Sequence, residues 1–253
     1  MIRYVVLGSG SNGNCTIIES KNTVIAIDFG LTLADIKSRA NEVSYSLDEI
    51  EALFITHSHV DHIRSVKSFS IEKIYATEYT LKDLNPNIIK PFEEYYVGNL
   101  KITPIPTSHD AFNSVGYIIE DEDEKLIYMT DTGYVPTKYY PLLRDADHYI
   151  FESNHDVDML LRCKYPYFLK KRILSDTGHL SNQDSAEILA ELIGNKTKSI
   201  ILAHISEEAN TKELALSTCL HTLKENGIDY SKIHIQVADR YKLTIGSDFS
   251  EIK

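Results

Sequence analysis

The sequence predicts a mixed α/β protein, with α+β character in the order of its elements, and two patterns lead to that class. Short apolar runs rich in β-branched residues alternate with polar turns through residues 1–150. Further along, strand-like runs alternate with segments whose apolar residues recur at helical spacing. The sequence shows no short-period repeat, linker or break in composition, so we expect a single domain over residues 1–253.

The predicted strands are short and are bounded by polar turns. They lie at 4–7, 15–19, 23–28, 53–56, 73–76, 100–105, 114–120, 125–130, 148–151, 199–203, 233–237 and 241–245. Two helices are predicted in the second half of the chain. The first begins at Ser181, an N-cap that Asp184 follows three residues later. The second covers 211–226 and stops at Gly227, a residue that suits a helix end.

Composition limits the classes of partner. A chain of 253 residues buries roughly three quarters of its unfolded surface, so a sizeable core is expected. The 37 Asp and Glu outnumber the 26 Lys and Arg, and the net charge of -11 argues against broad coating of nucleic acid or of an anionic membrane. It leaves room for an anionic substrate held locally, because bound metal ions dominate the field inside a site.

Cysteine usage and hydropathy indicate a compartment. Cys15, Cys163 and Cys219 are far apart and form no C-x-x-C pair, which is typical of a reducing cytosol. The apolar run near the start is too short for a signal peptide, and no segment is long enough to span a bilayer. We therefore expect a cytoplasmic protein without a membrane partner.

A glycine-rich segment at 8–13 matches G-x-G-x-x-G after a strand, and Asp28 follows at a distance typical of a ribose contact. A dinucleotide site needs a helix N-terminus directly after the last glycine. Here a β-branched run and a polar turn follow, and then another strand. The pattern therefore favours a strand–loop–strand unit whose loop approaches a neighbouring site.

The strongest chemical signal is the motif H-S-H-V-D-H at 57–62, directly after an apolar strand. His57 and His59 are one residue apart, so a turn that leaves a strand can aim both imidazoles at one ion. Asp61 and His62 can then serve a second ion. Imidazole and carboxylate ligands without thiolate suit zinc, iron or manganese.

This motif, H-x-H-x-D-H after a strand, resembles the signature of the metallo-β-lactamase superfamily. His109, Asp131 and His204 follow strands in the order of that family's remaining ligands. The resemblance covers most of the chain and implies a four-layer αβ/βα sandwich. It also implies two divalent metal ions, with zinc expected and manganese or iron as alternatives.

Further segments are similar to the YycJ/WalJ-like branch, whose members resemble bacterial and phage nucleases of the superfamily. They are S-G-S-N-G-N at 9–14, E-S-N-H-D at 152–156, Y-P at 165–166 and G-H-L-S-N at 178–182. One position departs from the family, because Ser65 stands where Gly commonly follows the last histidine of the motif by three residues. We expect the local helix to pack slightly differently without loss of metal binding.

The resemblance gives each ligand a role. It assigns His57, His59 and His109 to one ion, Asp61, His62 and His204 to the other, and Asp131 to a bridge between them. The implied reaction is hydrolysis by a hydroxide shared between the ions, because coordination lowers the pKa of water to roughly 7. Asp61 is expected to take part in catalysis as well as in binding.

A departing sugar oxygen needs a proton. His179 is the first candidate for this general acid and His155 the second. Both could instead orient a metal-binding carboxylate through a ring N–H.

Residues 164–172 form the densest basic stretch of the acidic chain and include aromatic residues. The candidate substrate contacts are Lys164, Tyr165, Lys170, Lys171 and Arg172. Cations there could hold phosphates while an aromatic ring stacks on an unpaired base. An ordinary helix with a solvated basic face and aromatic residues in the core would give the same pattern.

Three functions follow from these observations. The resemblance implies a metal-dependent nuclease that hydrolyses the phosphodiester bonds of DNA, with an exonuclease as the expected type. The alternative on the same dinuclear site is a hydrolase of a small thioester, lactone or phosphodiester, which the acidic composition favours. The third is a non-catalytic nucleotide-binding module built on residues 8–13.

Overall fold

A computed structural model describes residues 1–247 of the chain, which form two compact units. The first unit comprises Met1–Pro106, Ala111–Lys125 and the segment that starts at Ala238. The second comprises Thr107–Asp110 and Leu126–Val237. The single domain over 1–253 stays a prediction, and its residues 248–253 lie outside the described part.

The strands are β1 Ile2–Gly8, β2 Cys15–Ser20, β3 Thr23–Ile27, β4 Ala52–Phe54, β5 Ile74–Thr77, β6 Asn87–Ile89, β7 Tyr95–Val97, β8 Leu100–Pro106, β9 Val115–Glu120, β10 Lys125–Met129, β11 His148–Glu152, β12 Ser199–Ala203, β13 His234–Val237 and β14 Thr244–Ile245. The helices are α1 Leu33–Glu42, α2 Val60–Ile63, α3 Tyr140–Leu143, α4 Val157–Arg162, α5 Tyr167–Ile173, α6 Asn182–Leu192 and α7 Lys212–Glu225. None of these helices is both long and apolar enough to cross a membrane.

The first unit contains a seven-stranded mixed sheet in the order β14-β1-β2-β3-β4-β5-β6. Strands β1 to β3 pair antiparallel, whereas β3 to β6 pair parallel. Strands β7, β8 and β9 of the same unit pair antiparallel with one another. Helix α1 buries Ile36 and Ala40 in the same apolar cluster as Leu53 and Ile55. Because β3 and β4 run parallel, the loops that follow them leave the sheet at one edge.

The second unit is built on the neighbouring parallel strands β10, β11, β12 and β13. Strands β11 and β12 are buried at every position, as expected for parallel strands with both faces covered. Helix α6 packs on α7, and α7 packs on β13. The carboxyl ends of these strands meet at one edge, where ligands of parallel sheets commonly bind.

The helix predictions are confirmed by their caps. Ser181 Oγ accepts the backbone N–H of Asp184 at 3.1 Å, and Thr211 Oγ1 accepts that of Leu214 at 3.1 Å. Helix α1 was not predicted, although Thr32 caps it by accepting the N–H of Asp35 at 3.2 Å.

The predicted strands are found with small shifts in their bounds, and two corrections stand out. The strand predicted over 241–245 shortens to Thr244–Ile245, because Tyr241 and Lys242 donate their N–H groups to Asp239 Oδ1 in a turn. Strands β6 and β7 were not predicted, since three residues are too few for a clear pattern.

Candidate metal centre and active site

The predicted motif at 57–62 forms one cluster in the first unit. It leaves the sheet after β4 and enters α2, which His59 precedes as the N-cap residue. The ring centroids of His57 and His59 lie 4.6 Å apart, and those of His57 and His62 lie 4.0 Å apart. Asp61 Oδ2 lies 3.7 Å from His62 Nε2. The first unit thus brings together all four of its predicted ligands.

A buried carboxylate orients this cluster. Asp28 follows β3, the parallel neighbour of β4, and is fully buried. Its Oδ2 accepts the Nδ1–H of His62 at 2.7 Å, and its Oδ1 accepts the backbone N–H of Thr56 at 2.9 Å. A histidine held this way at Nδ1 presents Nε2 to a metal. Asp28 takes a left-handed φ of 59°, an unusual conformation for a residue other than glycine.

The glycine-rich loop between β1 and β2 approaches the same cluster, as predicted, and no helix follows it. Gly10 donates its N–H to Asn14 Oδ1 at 2.8 Å, which fixes the amide of that side chain. Asn14 Nδ2 then lies 3.0 Å from His62 Nε2, and the Asn14 backbone N–H donates to Asp61 O at 2.8 Å. The glycine-rich loop therefore packs against the motif at 57–62. Asp28, the candidate ribose contact of a dinucleotide site, accepts a hydrogen bond from His62 instead.

The loop after β3 touches the motif so closely that one position requires glycine. A Cβ atom on Gly30 would lie 1.6 Å from the carbonyl oxygen of Asp61. Ser65, the departure from the family pattern, donates its hydroxyl to Leu31 O at 2.7 Å. That hydrogen bond ties the chain after α2 to the same loop.

In the second unit, two candidate ligands follow parallel strands of the same sheet, β10 and β12, which lie on either side of β11. Asp131 comes after β10 and His204 after β12. Asp131 Oδ1 lies 3.4 Å from His204 Nε2 and 3.8 Å from His109 Nε2. Asp131 and His204 take left-handed φ angles of 56° and 57°. The predicted ligands of this unit therefore meet at the carboxyl edge of its strands.

Glu152, at the end of β11, organises this second cluster and was not predicted as a site residue. Its Oε1 accepts Nδ1–H groups from His179 at 2.7 Å and from His204 at 3.2 Å. Its Oε2 accepts the N–H of Thr132 at 2.8 Å. Burial alone would raise the pKa of Glu152, but the charge and hydrogen bonds of His179 and His204 lower it to about 2.

These groups fit a divalent metal. Asp131, Glu152, His179 and His204 each place one possible donor atom within 4.8 Å of the others. Because Glu152 Oε1 accepts the Nδ1–H groups of His179 and His204, the candidate ligands among these four are Asp131 and His204. Burial lowers the pKa of His109, which favours the neutral ring that a metal needs. Imidazole and carboxylate donors of this kind hold zinc, manganese or iron in proteins.

The two candidate acids differ in their surroundings. The side chain of His179 retains 10% exposure and contacts Asp131, with Nδ1 at 3.8 Å from Oδ1. His155 is 1% exposed, and neither of its ring nitrogens has a hydrogen-bond partner among residues 1–247. Burial lowers the pKa of His155 to about 4, so the ring is neutral near pH 7. His179 is the better placed of the two.

The basic stretch divides between core and surface. Tyr165 packs against the buried cluster of Leu160, Ile173 and Ala209. Lys170 Nζ donates to Leu161 O at 2.7 Å, and Arg172 Nη1 lies 3.1 Å from Asp110 Oδ2. Within residues 164–172, the exposed aromatic residues are Tyr167 and Phe168 rather than the candidate contact Tyr165.

Comparison with known proteins gives consistent matches. The profile of the family described as "Beta-lactamase superfamily domain" matches residues 23–205. The chain is 34% identical over 248 residues to "Exodeoxyribonuclease WalJ" of Streptococcus pneumoniae serotype 2 (strain D39 / NCTC 7466), with 90% of this chain and 92% of that protein covered. It is 32% identical over 241 residues to "Exodeoxyribonuclease YycJ" of Bacillus anthracis, with 89% and 90% covered.

Solved structures agree on the fold. The metallo-β-lactamase fold protein YhfI from Bacillus subtilis superposes with a TM-score of 0.74 at 17% identity, covering 97% of this chain and 99% of that one. The predicted fold class is thereby confirmed.

Proposed function

Because the chain belongs to the metallo-β-lactamase superfamily, we propose that it is a metal-dependent exodeoxyribonuclease that hydrolyses phosphodiester bonds of DNA. The observation that carries the proposal is the cluster at the carboxyl edge of the second unit. There, Asp131 and His204 lie beside His179, which a buried carboxylate orients. The relatives named for this activity match about nine tenths of the chain.

The proposed metal ligands are those that the sequence predicts. Under this proposal, His57, His59 and His109 would hold one ion, Asp61, His62 and His204 would hold the other, and Asp131 would contribute to both. Zinc is the proposed metal, in keeping with the imidazole-rich donor set. Divalent ions held there would supply Lewis acidity and a water acidic enough to attack a phosphodiester near neutral pH.

The protein side chains perform the remaining steps. Glu152 holds Nδ1 of His179, so Nε2 of that ring is the atom that carries a proton to the departing sugar oxygen. Asp28 and Glu152 fix His62 and His204 through Nδ1, which sets the direction of each Nε2. His155 has no place in this scheme, because burial keeps it neutral and away from solvent.

The proposal is tested by metal analysis of the purified protein together with a panel of DNA, RNA, lactone and thioester substrates. We expect about two equivalents of metal, chelator-sensitive cleavage of DNA, and loss of turnover in Asp131→Ala. Hydrolysis of a lactone or thioester without cleavage of DNA would instead favour the small-molecule hydrolase. We also propose that the enzyme acts in the cytoplasm, where its three free cysteines stay reduced.

A further inference from the structure

Helix α5 exposes aromatic rings and basic side chains on one surface. Tyr167 is 82% exposed and Phe168 is 73% exposed. Tyr167, Lys171 and Leu174 recur at i, i+4 and i+7, so they share one side of the helix. Clustered large apolar side chains on a surface usually mark a contact site.

The inner side of α5 is fixed independently of these rings. Ile173 is buried with Leu160 and Ala209, and Tyr165 and Leu169 pack against that group. The outer rings are therefore not needed to hold the helix in place, and a binding role accounts for them better than a role in folding.

Two cavities of the second unit share Leu174 as a lining residue at this surface. One, of about 600 Å³, is lined by Leu161, Tyr167, Lys170, Lys171, Leu174 and Ser175. A larger one, of about 1000 Å³, also reaches Leu174 and extends to Gly133 and Leu180. Leu174 is common to the two linings, so both cavities border the exposed surface of α5.

The charge of this region favours a polyanion. Between Val157 and Ile173 there are five basic residues and one acidic residue, in a chain of net charge -11. Arg162 pairs with Asp158 at 3.7 Å. Lys164 and Lys171 have no carboxylate within 4.0 Å among the described residues, so their charges remain available to phosphates.

We propose that Tyr167, Phe168 and Lys171, together called the α5 platform, bind an unpaired DNA strand. Its bases stack on the two rings and a phosphate lies at Lys171. This inference rests on the proposed nuclease function and adds how the strand is held. An unpaired strand is favoured over a duplex, because ring faces reach base faces only where bases are unstacked.

The first test measures binding of short oligothymidine with hydrolysis-resistant phosphorothioate linkages, by fluorescence anisotropy, to the full-length protein as purified. In Tyr167→Ala/Phe168→Ala we expect single-strand affinity to fall about tenfold or more and duplex affinity to stay within about twofold. Tyr96→Ala is the matched control, since Tyr96 is 67% exposed and lies outside α5. It should bind as the unmodified protein does.

The second test uses the absence of tryptophan from the sequence. Tyr167→Trp introduces a single indole, which should be quenched when the unpaired oligonucleotide stacks on it, whereas Tyr96→Trp should keep its emission. Quenching confined to Tyr167→Trp would support the platform even if truncation perturbed folding.

The outcomes separate the two proposals. The α5 platform would be wrong if the double alanine variant kept its affinity for single strands, or if it lost affinity for single strands and duplex equally. DNA cleavage by the unmodified protein would still support the nuclease proposal in either case. If the unmodified, metal-loaded protein bound neither form of DNA, both proposals would fail.

Discussion

Oε1 of Glu152 accepts the Nδ1–H of His179 at 2.7 Å inside the second unit. The pair fixes both the tautomer and the direction of the imidazole, so Nε2 is the nitrogen that would exchange a proton with substrate under the proposed acid role. The same carboxylate also holds His204, so one buried group orients both a proposed acid and a proposed ligand.

Removing the proposed acid should slow the chemical step more than it weakens metal binding. In His179→Gln we expect kcat on DNA to fall by about 10²–10⁴ while metal content stays near that of the unmodified protein. His221→Gln is the control, because His221 is exposed and pairs with Glu225 at 3.2 Å. Single-turnover cleavage assays and metal analysis measure the two effects. Equal kcat values for His179→Gln and the unmodified protein would show that His179 is not the acid.

The carboxylate behind His62 should control metal affinity. Asp28→Asn keeps the shape and tolerates the left-handed φ of 59°, but it loses the negative charge that holds Nδ1–H. We expect affinity for zinc to fall about 10–100-fold in a chelator competition. Asp83→Asn, an exposed change, should leave it unaltered. The same result for both variants would contradict the role of Asp28.

His155 should contribute neither a proton nor a hydrogen bond. Its ring nitrogens have no partner among residues 1–247, so His155→Leu loses no described hydrogen bond. We expect the free energy of unfolding to change by less than about 1 kcal/mol and kcat to stay within about tenfold. A loss of kcat as large as that of His179→Gln would show that His155 acts in catalysis.

Lys164 and Lys171, which have no carboxylate within 4.0 Å among the described residues, should contribute to the salt dependence of DNA binding. In Lys164→Ala/Lys171→Ala, the slope of log K against log salt for single strands should become shallower by about 0.7 for each phosphate that the protein no longer neutralises. Lys37→Ala/Lys232→Ala removes the same charge from exposed positions elsewhere. If both pairs change the slope equally, net charge rather than α5 governs binding.

Close packing at Gly30 should make even a methyl group costly. Gly30→Ala would force the Asp61 carbonyl to move, since the added Cβ would lie 1.6 Å from it. We expect weaker zinc binding as well as lower stability. Gly227→Ala, with φ of 71° and nothing within 4 Å of the new Cβ, should cost about 1–2 kcal/mol and leave metal affinity unchanged. Isothermal titration and thermal unfolding measure the two effects.

The sequence predicts the strands, two helix starts and the local clustering of the 57–62 motif, because these depend on patterns within a few residues. It does not predict the roles of Asp28 and Glu152. Asp28 holds a histidine 34 residues away, and Glu152 holds histidines 27 and 52 residues away. Such pairs depend on which parallel strands are neighbours, which a single sequence does not state.

The basic stretch at 164–172 shows a second limit of prediction from sequence. Its composition predicts cations and aromatic rings, but not the side of the helix on which each ring lies. Tyr165 packs into the core, whereas Tyr167, two residues later, lies 82% exposed. The difference follows from packing, because Tyr165 contacts the cluster that contains Leu160 and Ile173.

Asp28, Asp131 and His204 all leave their strands with left-handed backbone angles of 56–59°. An L-residue in that region is disfavoured by roughly 1–2 kcal/mol, a strain that glycine avoids. At Asp28, glycine would relieve that strain but would leave the buried Nδ1–H of His62 and N–H of Thr56 without the carboxylate that accepts them, at a cost of roughly 1–3 kcal/mol for each. Library designs for a more heat-stable variant should therefore keep these three strand-end residues fixed, in spite of their backbone strain.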